Sequence, residues 1–172
     1  MSVTEKTAYI SVVPRETTEE YDPEAMGIAV VGVLYDGTVY YFEEKEVLRL
    51  FDLLERAERY VGVNDYIVDA LGPYAEDSEL SPFVGIQKRV SDSLGERVSL
   101  NNVTKATLGR ERDDPRRLPL EWSEGRERTV RSSVKKDLLI LRDLDAAIHE
   151  GEVRVTDPRT MEERTVEFGT ED

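Results

Sequence analysis

Residues 59–71 read RYVGVNDYIVDAL, and the fold follows from how this stretch is read. Tyr60 to Val63 have strand character, Asn64 and Asp65 end the strand, and a short amphipathic turn places Asp69 between Val68 and Ala70. A lone carboxylate just past the end of a buried strand sits where α/β sheets place chemistry, because ligands bind in the crevice outside the strand ends. Asp69 is therefore the first candidate for a functional acid.

Upstream of this stretch, Glu43 to Glu58 carries Val47, Leu50, Phe51, Leu54 and Ala57 at spacings of three and four, which predicts an amphipathic helix laid on a sheet. A helix crossover makes the 60–63 strand parallel to an earlier one. Gly27 to Leu34, GIAVVGVL, is a near-continuous apolar run, as in a strand buried on both faces. Asp36-Gly37 is a tight-turn signal, because both residues tolerate positive φ, and Thr38 to Phe42 returns as an antiparallel partner. Lys6 to Val13 reads as the first strand, closed by Pro14, with Arg15 to Glu24 as a loop punctuated by Pro23.

Downstream, Gly72 to Pro82 reads as loop. Phe83 to Leu94 and Leu100 to Leu108 read as helices ended by Gly95 and Gly109, with Ser99 as the cap of the second. The segment from Arg110 to Trp122 is polar and punctuated by proline, hence loop. From Arg126 to His149 a long helix places Val130, Val134, Leu138, Leu141 and Leu144 on one stripe, and Glu152 to Thr156 with Arg164 to Phe168 predict a hairpin. The expected architecture is α/β, a mixed central sheet flanked by helices with an added C-terminal β-hairpin. A single domain is expected over residues 1–172, with its core at 6–149 and the hairpin at 150–169.

The chain of 172 residues has net charge −14, so its overall field does not favour nucleic acid or anionic membrane. The basic residues are concentrated: Arg110 to Lys136 holds nine Arg or Lys against six Asp or Glu, and any polyanion would be met there. The acidic surface and seventeen Arg against six Lys read as adaptation to a salty cytoplasm, where carboxylates keep the surface hydrated and screening shrinks their repulsion. An ordinary acidic microbial protein would also fit. With no cysteine and one histidine, disulfides, thiol catalysis and imidazole-rich metal sites are excluded. His149 reads as a surface residue suited to a helix C-terminus. No apolar run approaches the roughly 18 residues of a membrane span, and the start MSVTEKTAYISVV is unlike a signal peptide, so a cytoplasmic location without membrane contact is expected.

The chain has no phosphate loop, no dinucleotide glycine fingerprint and no Gly-x-Ser-x-Gly elbow. Ser132 and Ser133 read as ordinary helix residues. The acids in the most apolar surroundings are Asp69 and Asp137, the latter in KKDLLILRDL. Carboxylates on separate elements suit Mg²⁺ or Mn²⁺, although surface or capping acids are the simpler reading of two such residues.

In order along the chain stand MGIAVVGVLYDGTVYYF, YVGVNDYIVDAL, SLGERVSLNNVTKATLG, LPLEWSEG and SVKKDLLILRDL. With these segments the chain resembles the ribonuclease H-like, DnaQ-type 3′-to-5′ exonuclease superfamily. It is similar in particular to a predicted exonuclease group related to the proofreading domain of family B polymerases. The resemblance implies a ribonuclease H-like fold and two-metal hydrolysis with Mg²⁺ or Mn²⁺. By position Asp69 matches the middle acid and Asp137 the last.

Two departures from the family pattern stand out. The first-strand Asp-x-Glu positions hold Tyr9 and Ser11, Ile10 and Val12, or Ser11 and Val13, depending on register, and Ser133 replaces the last-motif tyrosine. The resemblance then implies a degenerate exonuclease-like domain, catalytically weak or inactive, that serves nucleic-acid or partner-protein binding. Asn64, Trp122 and the arginines Arg110, Arg112, Arg116 and Arg117 would meet a single strand, since aromatic stacking and Arg contacts suit it; a self-neutralised loop is the alternative for the arginines. One alternative function is an active Mg²⁺- or Mn²⁺-dependent exonuclease that uses Asp69 and Asp137, with Glu16 and Glu20 as the nearest substitute acids. Another is a structural subunit held by the C-terminal hairpin or the helices.

Overall fold

The computed structural model describes residues 6–74, 80 and 82–168. Strands β1 (Thr7–Val13), β2 (Val30–Tyr35) and β3 (Thr38–Glu43) pair antiparallel in sequence order. On the other side of β1, β4 (Arg59–Gly62) and β5 (Phe83–Gly85) add in parallel, so the mixed sheet runs β3-β2-β1-β4-β5. The expected tight turn joins β2 to β3, with φ of 49° at Asp36 and 76° at Gly37, the left-handed geometry of a primed turn.

Successive side chains of a strand point to opposite faces, and β1 divides its residues between two layers accordingly. Ala8 and Ile10 pack with Val31, Val33 and the apolar faces of α2 (Val47–Leu54) and α3 (Tyr66–Leu71). Tyr9 and Val13 pack on the other face against α4 (Ile86–Leu94), α5 (Leu100–Leu108) and the long α7 (Glu127–Glu150). The stripe Val130, Val134, Leu138, Leu141 and Leu144 is fully buried. Gly32 on β2 lets α7 approach the sheet: a Cβ there would lie 2.2 Å from Val134 Cγ1 and 3.1 Å from Leu138 Cδ1.

Several elements differ from expectation. The helix predicted over Glu43–Glu58 is a 3₁₀ turn (Glu44–Glu46) followed by α2, which stops at Leu54. Its predicted end is drawn into the sheet instead, where the Glu58 and Arg59 amides donate to Lys6 O at 2.8 and 3.3 Å. Phe83–Gly85 is the fifth strand rather than the start of a helix, because pairing with β4 overrides a stretch too short to show a period. Pro23 opens a short helix α1 (Pro23–Met26) capped by Asp22, and Pro119 lies in the first turn of α6 (Leu118–Ser123). Proline suits those positions, where its missing N–H has no partner to lose. Ser99 occupies the N-cap of α5 without a side-chain hydrogen bond, while Gly95 and Gly109 take the expected left-handed geometry at helix ends.

The predicted loop over Gly72–Pro82 begins with a 3₁₀ turn, Gly72–Tyr74, and its residues 75–79 and 81 lie outside the described residues, as do 1–5 and 169–172. The C-terminal hairpin forms from β6 (Arg154–Thr156) and β7 (Glu163–Thr165). Its Val153, Val155 and Val166 join the core that α7 covers. Among the described residues, no helix is long and apolar enough to cross a membrane.

Candidate functional site

Beyond the C-terminal ends of β1 and β4 lies a cavity of about 440 Å³. Its floor is Ile10 to Val13 and Val63, and one wall comes from the β1–β2 connection through Pro14, Thr17, Tyr21 and Met26. The opposite wall is built from Arg112, Asp113, Pro115, Arg116 and Leu118 and from Ser133, Val134 and Asp137 of α7. The β1–β2 connection is held closed by its own backbone, since the Arg15 and Glu16 amides both donate to Met26 O, at 3.0 and 3.1 Å.

Two acids line the cavity, Asp113 and Asp137, and of these Asp137 faces the first strand. Its Oδ1 accepts from Arg112 Nε at 2.5 Å, and its Oδ2 accepts from Arg112 Nη2 at 3.1 Å and Ser11 Oγ at 3.3 Å. Both side chains of this pair are only 14% exposed. A planar guanidinium that grips both oxygens of a carboxylate is among the stronger polar contacts available to a protein. Arg112 is brought there by the segment after α5, where its amide donates to Asn101 Oδ1 at 3.0 Å. The contact also selects among the first-strand registers: Ser11 faces Asp137, whereas Ile10 packs toward α2 and α3.

Asp69 lies on α3, exposed, and does not line the cavity. Its Oδ2 accepts from Tyr21 Oη at 2.6 Å, and Tyr21, which does line the cavity, is the link between the two. Removal of water from the Tyr21 hydroxyl and then the bond to Asp69 push that phenol well above its usual range. The neighbouring Tyr66, in edge contact with Tyr21 at 6.3 Å between ring centres, is pushed up to about 12 by burial and donates to Gly27 O at 2.7 Å. Asn64 lines the cavity with its Oδ1 accepting from the Tyr66 amide at 3.0 Å. Glu16 and Glu20 are exposed and outside the lining.

The four arginines singled out in the sequence are each paired with an acid. Arg110 pairs with Asp143, Arg112 with Asp137, Arg116 with Asp114 and Arg117 with Glu121. Of the four, Arg112 and Arg116 reach the cavity. Trp122 packs against the core layer under α7 instead. In the cavity wall Asp113 accepts from Ser133 Oγ at 2.8 Å and from Lys136 Nζ at 3.0 Å, and these two bonds, in that order, hold its carboxyl below the usual carboxylate range.

Sequence reading missed a second constellation, two helical turns further along α7. Asp145 is completely buried and accepts from Tyr9 Oη at 2.8 Å and from Arg59 Nη1 and Nη2 at 2.6 and 2.7 Å. Burial, and next the Asp145 charge, drive the Tyr9 phenol far above its usual value. This cluster ties β1 and β4 to α7 and so sets how Ser11 meets Asp137. A signal for it was present, since Asp145 follows Leu141 by four residues and thus interrupts the apolar stripe with a charge. His149, in the last turn of α7, has Nδ1 2.8 Å from Asp145 O, a helix-terminal contact.

The two acids matched to metal ligands are thus engaged elsewhere, Asp137 by Arg112 and Asp69 by Tyr21, and Ser11 offers a neutral hydroxyl. Among the described residues no group of three or more His, Asp or Glu gathers closely enough to hold a metal ion. As arranged, these side chains do not fit a pair of divalent cations. The geometry defines an α/β domain with a cleft at the parallel strand ends and a guanidinium in its acidic corner. Compared with known proteins, the chain matches no protein-family model and no curated protein.

Proposed function

We propose that this chain is a degenerate exonuclease-like domain of ribonuclease H-like fold that binds the end of a single nucleic-acid strand without cleaving it. The strand order β3-β2-β1-β4-β5, with a long last helix carrying an acid toward the first strand, supports the fold part of this reading. The observation that carries the functional part is the bidentate pair of Arg112 and Asp137 against Ser11. A guanidinium there, its charge balanced by Asp137, holds the corner in one geometry but cannot ionise a water as a bound cation does. The apolar floor and the rings of Tyr21 and Tyr66 give a base a surface to lie on, and Arg116 at the rim gives a phosphate a partner.

The test is binding of labelled single-stranded DNA and RNA over a salt series, together with digestion in Mg²⁺ and Mn²⁺. The expected result is binding at low salt that weakens as salt rises, with no cleavage above that of Asp69→Ala and Asp137→Ala. Cleavage by the parent that Asp137→Ala abolishes would make it an active nuclease. No binding at low salt would remove nucleic acid from the reading and leave a partner protein.

A further inference from the structure

β3 is an edge strand, and its outer edge carries open hydrogen-bonding groups at two residues. Tyr35 and Thr38 close the primed turn as a hydrogen-bonded pair, so Thr38, Tyr40 and Phe42 direct their backbone groups at β2, while Val39 and Tyr41 direct theirs outward. The next outward amide, that of Glu43, already donates to Glu46 Oε1 at 3.1 Å. Among the described residues, nothing pairs with the outward N–H and C=O of Val39 and Tyr41.

Edge strands of monomeric proteins are commonly blunted by lysine, proline, a bulge or extreme shortness. β5, at the other edge of the sheet, is three residues long and runs straight into α4. β3 has six residues, and from Thr38 to Phe42 it contains no charge and no proline. In a chain of net charge −14, this is a stretch where two copies meet without placing acids directly opposite each other. Tyr40 at its centre is 36% exposed.

We infer that β3 pairs antiparallel with β3 of a second copy of this chain, about a two-fold axis at Tyr40, to make one continuous ten-stranded sheet. In this register Val39 faces Tyr41 of the other copy and Tyr41 faces its Val39, so all four open groups of each copy are satisfied. Centring the axis on Tyr41 instead would oppose Val39 to Glu43, whose amide is already taken. The Glu46 cap therefore selects the register. The two Tyr40 rings meet as a non-hydrogen-bonded pair, the type with the closer side chains. The contact is isologous and closes at two copies, since it consumes the edge that makes it. Because both copies are acidic, the dimer strengthens as salt screens their repulsion.

The chain contains no cysteine, so one introduced thiol reads the register directly. Across this axis two residues at position 40 have Cα atoms about 4.5 Å apart, within disulfide reach, whereas two at position 39 lie diagonally about 7–8 Å apart, beyond it. Under mild oxidant, Tyr40→Cys is expected to form linked dimer at least about tenfold faster than Val39→Cys, because the second pair cannot be bridged without backbone movement. Sedimentation of the unmodified chain is expected to show a dimer whose fraction rises with salt. Tyr40→Lys, which sets like charges face to face, is expected to return it to a monomer with unchanged circular dichroism. A monomer at all salt concentrations, or equal linking at positions 39 and 40, overturns the inference.

Discussion

Replacing Asp145 with alanine is the most direct perturbation of the framework that holds the cleft. The parent carboxylate is 0% exposed and receives three hydrogen bonds, one from Tyr9 and two from Arg59. Removing it leaves the Tyr9 hydroxyl buried without that acceptor and the Arg59 charge without that counter-ion. Breaking a buried pair from one side costs about 3–5 kcal/mol, because the surviving charge has lost its water and its partner. The Arg59 side chain is 20% exposed, so water can reach part of it, and the lower half of that range, about 3–4 kcal/mol, is expected. For a chain of this size each kcal/mol lowers Tm by about 2–4 °C, giving a fall of about 6–16 °C. Urea unfolding at neutral pH measures the free energy and calorimetry the midpoint. A further arm pairs Asp145→Leu with Arg59→Met, which removes both charges at once, and the double variant is expected to lose less than the sum of the single ones. Asp145→Ala within about 1 kcal/mol of the parent would refute the reasoning, since three hydrogen bonds to a fully buried carboxylate would then contribute almost nothing.

Gly32→Ala is expected to cost about 1–3 kcal/mol by overpacking, since its methyl would lie 2.2 Å from Val134 Cγ1, and Val134→Ala should recover part of the loss in denaturant unfolding. Ser11→Asp combined with Arg112→Ala exchanges the guanidinium for a second carboxylate beside Asp137 and is expected to bind Mn²⁺ more tightly than the parent. The electron paramagnetic resonance signal of free Mn²⁺ reports this, and equal binding would mean that Arg112 does not stand where a cation would. The phenols of Tyr9, Tyr41, Tyr60 and Tyr66 are raised above 10.0, chiefly by burial. A raised folded value means stability that is complete below pH 10 and lost as pH climbs toward the folded values. Tyrosinate absorbance of these rings is therefore expected to appear together with loss of circular dichroism, and its full appearance in a still-folded chain would contradict their burial.

The parts of the cleft differ in how far they were legible from sequence. Asp137 was recognisable as an acid in apolar surroundings on a long amphipathic helix, and Asn64 as the end of a strand. That Arg112 closes on Asp137 was not, because nothing local distinguishes Arg112 from Arg110, Arg116 or Arg117 in the same segment. Asp69 was read as an acid beside the strand end, and it is one, but its hydroxyl partner comes from Tyr21, 48 residues away in the chain. Trp122 was assigned to a loop because two prolines precede it, and proline in the first turn of a helix leaves no such mark in a linear pattern.

By itself the sequence determined the elements whose cause is periodic or local. Alternation and apolar runs specified β1 and β2, Asp36-Gly37 specified the turn, the 3.6-residue stripe specified α7, and glycines marked the ends of α4 and α5. Tertiary structure alone decided which polar groups are partners, as the contacts of Ser11 with Asp137 and of Tyr9 with Asp145 span 126 and 136 residues. The physical reason is that a lone charge or hydroxyl has no period. Its cost and its use depend on what the folded chain brings within hydrogen-bonding distance, and for Asp137 that is the Arg112 guanidinium.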